Sequence, residues 1–168
     1  MAAPDLPTLY DFEDTLAAAF QTYLQAEMSG KTIQIGRNAN QQTPPCILLR
    51  AEHEGAAAGL ETDQKLFTTD GNVSKDRHFT GRIVTTIRTH RQADATDDDH
   101  ADLRKRLRAA MYDAFKATAG LNAQLTYHSL RSLFEEGNSH DTEGDEGFDD
   151  TEITWAISYV IQDSAWPS

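Results

Sequence analysis

A chain of 168 residues is long enough for one domain that buries roughly 70% of its unfolded surface. Its 15 basic against 27 acidic side chains give a formal charge of −12, which argues against a general nucleic-acid binder, because phosphate affinity needs a net basic surface. The lone cysteine, Cys46, excludes an internal disulfide, and 39% apolar residues with 8% aromatics describe a globular chain carrying polar insertions. Met1 to Asp5 lack the basic and apolar regions of a secretory signal, and no run approaches the roughly 18 apolar residues of a membrane span. Production in a cytosol is the expectation.

From residue 8 to about residue 28, Leu9, Phe12, Leu16, Ala19, Phe20, Tyr23, Leu24 and Met28 recur three and four apart, which predicts an amphipathic helix ended by Gly30. Asp11, Glu13 and Asp14 suit the positive end of its dipole. Lys31 to Ile35 alternates as a short strand, Asn38 to Pro45 is turn-rich, and Cys46 to Ala51 is a short buried strand. Residues 52–78 lack a period, so an irregular excursion is expected there, with a turn at Asp70-Gly71-Asn72. Phe79 to Thr89 alternates again, with Ile83, Thr85 and Ile87 on one side and Arg82, Val84, Thr86 and Arg88 on a wetter one.

Thr96 or Asp97 can cap a second helix over about 98–119, whose apolar face is Leu103, Leu107, Ala110, Met111, Ala114 and Phe115 and whose stop is Gly120. Leu125 to Arg131 predicts a strand that Leu133 and Phe134 extend. Residues 135–150 hold eight acidic side chains and three glycines, the composition of a long mobile loop between strands. The last apolar run then places Ile153, Trp155, Ile157, Tyr159 and Ile161 on one face and Thr154, Ala156, Ser158 and Val160 on the other. That pattern predicts a central strand. The element order describes a single α+β domain over 1–168: a mainly antiparallel sheet with two amphipathic helices packed on one face.

No catalytic set converges. Asp141, Glu143 and Asp145 match the start of a calcium loop, but the sixth place is Glu146 where the turn requires glycine, so a solvated hairpin loop is the reading. The histidines at 53, 78, 90, 100, 128 and 140 form no helical i, i+4 pair, and His100 near Asp97 to Asp99 is explained by a helix N-terminus. Cys46 is expected to be a small buried thiol. Gly55 to Gly59 is neither a Walker loop nor a dinucleotide fingerprint. Arg104-Lys105-Arg106-Leu107-Arg108 is the one basic cluster, expected as a solvated helix face that pairs with acids on neighbouring elements or subunits. No cofactor and no metal are called for.

Taken together, the Leu9 to Met28 helix, the Pro44-Pro45-Cys46-Ile47-Leu48-Leu49 entry into a strand, the Arg82 to Ile87 strand, the Leu103 to Phe115 helix, Leu125-Thr126-Tyr127 and the Thr151 to Trp155 strand after an acidic loop resemble the tail-terminator and tail-completion proteins of long-tailed phages and prophages. The resemblance covers nearly the whole chain through its plan, without a short signature. It implies a non-enzymatic virion structural protein, made in the host cytoplasm. Such a protein assembles as a ring, commonly hexameric, that caps the tail tube and joins it to the head connector proteins. DNA passes through such a ring without specific binding, and no membrane is involved. On this reading Arg104, Lys105, Arg108, Thr154, Ala156 and Ser158 contact a neighbouring subunit or partner, and Asp141, Glu143, Asp145 and Glu146 face the lumen or the adjoining ring. The alternatives are a non-catalytic bacterial adaptor or binding module and, behind it, a metal-dependent enzyme using Asp141, Asp145 and a histidine.

Overall fold

In the computed structural model, which describes residues 9–36, 45–56, 66–67, 73–74, 77–90, 98–116, 120–125, 128–141 and 147–161, the first apolar stripe forms helix α1 (Leu9–Glu27). Leu16, Phe20, Tyr23 and Leu24 lie on that stripe and are at most 1% exposed. The helix closes as expected. The Met28 amide donates to the Leu24 carbonyl, and Gly30 takes φ +81°, a conformation that glycine alone enters without a steric penalty.

The strands are β1 (Thr32–Ile35), β2 (Cys46–Ala56), β3 (Leu66–Phe67), β4 (Val73–Ser74), β5 (Arg77–His90), β6 (His128–Asp141) and β7 (Phe148–Ile161). Helix α2 (Asp98–Tyr112) follows β5 and tightens into a 3-10 turn at Asp113–Phe115, and a second 3-10 turn covers Leu121–Gln124. Five strands make one mixed sheet in the order β1-β2-β5-β7-β6, and β3 pairs with β4 apart from it. The arrangement is α+β with more strand than helix. Within the large sheet β1 runs parallel to β2, and the three remaining pairings are antiparallel.

Period-two alternation decides which side chains reach the core. Ile47, Leu49 and Ala51 of β2 stand opposite Ile87, Thr85 and Ile83 of β5, which in turn stand opposite Thr151, Ile153 and Trp155 of β7. The apolar members of these rows join residues of both helices in one buried cluster, so this side of the sheet is its core face. Burying each large member contributes roughly 1.5–3 kcal/mol of transfer free energy. Tyr23 of α1 donates a 2.6 Å hydrogen bond to the Ala110 carbonyl, one of the last-turn acceptors that α2 cannot satisfy internally.

Several expectations from sequence are corrected. The Ile153 to Ile161 strand is interior, between β5 and β6, but β5 holds the middle of the sheet. The 135–150 loop is much shorter, since Glu135–Asp141 continue β6 and Phe148–Asp150 begin β7; residues 142–146 lie outside the described residues. The 52–78 excursion likewise loses its ends to β2 and β5, while β3 and β4 lie within it. Beta pairing begins at His128, three residues later than expected from Leu125, which follows a 3-10 turn instead. Gly120 is no left-handed cap: its φ is −78°, and it stands before the second 3-10 turn. Glycine is required there because a Cβ would collide with the Lys116 carbonyl and stand 2.8 Å from that of Ala114. Phe115 is 43% exposed, because the 3-10 turn rotates each residue further than an α-helix does and carries it off the buried stripe that ends at Ala114. The proposed caps Thr96 and Asp97 lie outside the described residues.

Candidate functional site

Polar side chains in the core are the first place to look for chemistry. His100, in the first turn of α2, is held between two strand hydroxyls: Nδ1 is 2.8 Å from Thr89 Oγ1, and Nε2 is 2.6 Å from Thr151 Oγ1. A threonine beside an imidazole has the outline of a nucleophile and its base. All three are sealed, however, with His100 5%, Thr89 6% and Thr151 1% exposed, so the trio ties α2 to β5 and β7 instead of meeting a substrate. Sequence reasoning placed His100 with the aspartates at the helix start and missed these partners, which are 11 and 51 residues away. A neighbouring pair is also structural. Trp155 Nε1 donates to Thr85 Oγ1 at 3.0 Å, and that hydroxyl donates to the Ile153 carbonyl at 3.2 Å.

The opposite face of the sheet is built from the other half of each alternation, and here called the outer face. Rows such as Arg82–Ala156–Phe134 and Thr80–Ser158–Ser132 cross β5, β7 and β6 on it. Three arginines punctuate it, each with carboxylates. Arg88 grips Asp150 through two bonds of 2.8 and 2.6 Å and lies over the Phe148 ring at 4.8 Å. Arg50 meets Glu52 at 3.1 Å and Glu152 at 3.7 Å. Arg82 is shared by Glu136 and Glu54, each 2.9 Å away, and the Glu136 hydrogen bond followed by the Glu54 charge raises its already high pKa. Beside them Cys46, Leu48, Val84 and Val160 are at most 4% exposed. This face is therefore drier than the alternation predicts. Burial pushes the Cys46 thiol up, partly opposed by the Arg88 charge.

The residues singled out in the sequence divide between places. Thr154, Ala156 and Ser158 do lie together on the outer face, half-buried; Ser158 Oγ is 2.5 Å from Ser132 Oγ, and Ala156 stands between Arg82 and Phe134. Phe134 itself is 56% exposed, an apolar neighbour that the sequence treated only as the end of a strand. On α2, Lys105 is exposed and Arg104 half-buried, whereas Arg108 is already engaged within the chain. It holds Glu135 of β6 by a fork of 2.9 and 2.7 Å, which lowers the Glu135 pKa through that hydrogen bond first. Asp141 ends β6 opposite Asp150; Glu143, Asp145 and Glu146 lie outside the described residues. Glu152, the twelfth place counted from Asp141, belongs to β7 and faces Arg50. Among the described residues no group of three or more His, Cys, Asp or Glu is placed to hold a metal, and no described helix is long and apolar enough to cross a membrane.

Compared with known proteins, the sequence matches no family model and no curated protein.

Proposed function

We propose that this chain is a virion structural protein of a long-tailed phage or prophage, a tail terminator or completion protein that assembles as a ring, caps the tail tube and joins it to the head connector. The proposal takes both helices to cover the core face of the sheet, so that the sheet edges and the part of the outer face around the exposed Phe134 are left for neighbours. The observation that carries it is the division of β7: its large side chains are spent on the core, while Thr154, Ala156 and Ser158 present small, half-buried groups beside the exposed Phe134. Small side chains there let another backbone approach closely, and a large aromatic in such a setting is a natural anchor.

The charge of −12 gives the reading a second support, since an acidic ring lumen lets DNA slide without adhering. Electron microscopy of the purified protein, alone and mixed with tail tubes, tests the proposal. Rings at tube ends are expected. A chain that forms no ring and adds nothing to tube ends would remove the proposal and leave the adaptor reading in its place.

A further inference from the structure

The charge of β6 is divided about its exposed phenylalanine. Arg131 precedes Phe134 and Glu136 follows it, and all three are exposed. Arg131 makes no ion pair among the described residues. Around Glu136 one negative charge is left over, because Glu54 and Glu136 share the single guanidinium of Arg82, while Glu135 is taken up by Arg108. The strand thus has a positive side and a negative side with an apolar group between them. Arg131 and Glu136 are also the extra residues of two bulges, since the register with β7 shifts between Leu130 and Ser132 and again between Glu135 and Gly137. A bulge interrupts regular pairing, so Ser132 to Glu135 is the regular stretch between them. β6 is outermost in the strand order, and on its free edge Asn122 binds the amide and carbonyl of Leu130, at 2.8 and 3.3 Å, just ahead of that stretch. Just beyond it Gly137 is exposed, with open space where a side chain would stand.

We infer that the free edge of β6 pairs with the same edge of a second copy, antiparallel about a twofold axis beside Phe134. The charge division selects this occupant. Reversing the strand sets the positive side of each copy against the negative side of the other, so the patch is its own complement. Pairing in the same direction would set like charges together. With Phe134 against Phe134 of the second copy, Arg131 stands opposite Gly137 of that copy, where the missing side chain leaves the guanidinium room to reach Glu136. An unpaired edge offers main-chain donors and acceptors to another strand, and the bulges confine that offer to the short stretch between them, so the pair is reversible. An isologous contact closes at two copies. A ring built from such pairs needs a further contact, so the pairing stands or falls apart from the ring reading.

The test uses the full chain carrying Arg131→Glu or Glu136→Arg, sedimented from micromolar to millimolar concentration, with far-UV circular dichroism and thermal melting to check the fold. The parent should show a monomer–dimer equilibrium. Either variant alone opposes like charges and should dimerise at least about tenfold more weakly. An equimolar mixture restores both attractions, because one copy then carries two acids where the other carries two cations, and it should recover a one-to-one dimer. Phe134→Ser disturbs no ion pair and should weaken the dimer as well, which keeps the test open if a charge variant does not fold. A parent that stays monomeric throughout, folded variants that dimerise like the parent, or a mixture no better than its components would overturn the inference and leave rings at tube ends untouched. Dimers without rings at tube ends would remove the ring reading alone.

Discussion

The buried hydroxyl of Thr85 is the smallest group on which much of the core depends, because it accepts from the indole of Trp155 and donates to the Ile153 carbonyl. Thr85→Val keeps the shape and removes both bonds, leaving a buried indole N–H without an acceptor. A loss of about 1–3 kcal/mol is expected in urea unfolding, and a midpoint unchanged at equal slope would show that the indole finds another partner. Tyr23 makes a comparable link between the helices, and burial, reinforced by the Glu27 charge, pushes its hydroxyl up to about 12. A raised value means that the folded state holds the proton more tightly than the unfolded chain, where phenol titrates near ~10. The stabilisation is therefore complete below the unfolded value and disappears as pH rises through the folded one. Tyr23→Phe should melt lower than the parent at neutral pH, with the gap closing in strong alkali. Cys46, 1% exposed with its thiol pushed up by burial, should react with a thiol reagent only as the protein unfolds.

Between elements, the link from α2 to β6 depends on the Arg108–Glu135 fork, whose members are partly exposed, so its worth is at most about 1 kcal/mol after screening. Arg108 holds the Glu135 carboxyl below its ordinary range, so this contribution is present above the unfolded value near ~4.3 and is lost as pH falls through the lower folded one. Arg108→Gln should accordingly lower the melting temperature at neutral pH and make little difference in acid. Two glycines offer a control on backbone reasoning. Gly120→Ala should destabilise by about 1–3 kcal/mol through collision with the Lys116 and Ala114 carbonyls, whereas Gly137→Ala, with open space around it, should be tolerated. The same forks explain what was legible in the chain. The α1 stripe and the large-residue faces of β5 and β7 follow from local spacing, and the structure buries them, whereas Val84 and Arg88, expected on a wetter face, are buried as well. The continuation of β6 through Glu135 and Glu136 was hidden because acids beside glycines suggest a loop. Their compensating cations, Arg108 and Arg82, lie 27 and 54 residues away. Likewise a strand pattern carries no sign of pairing direction, so the parallel partnership of β1 with β2 had no local signal. Of the candidate surface, Thr154, Ala156 and Ser158 were legible from alternation, and the exposure of Phe134 was not.

For the whole molecule, one buried cluster draws on α1, α2 and all five strands of the large sheet. Loss of any element should then release the others, and unfolding followed by far-UV circular dichroism and by Cys46 accessibility should give coincident transitions. Separate midpoints would show that the α1–β1 and β6–β7 regions open independently. Within that shared transition the strands need not arrive together. β6 and β7 are neighbours along the chain and pair over most of their length, whereas the four residues of β1 are joined in parallel to a strand that begins at Cys46 and are backed by α1. With four residues, at the end of the strand order, β1 is the shortest strand of the large sheet and is paired on one side only, so it is the strand of that sheet expected to exchange its amide hydrogens first. Whatever steadies that edge from outside should slow its exchange, so amide exchange at Thr32–Ile35, followed with and without tail tubes, reads whether this end of the sheet meets a neighbour.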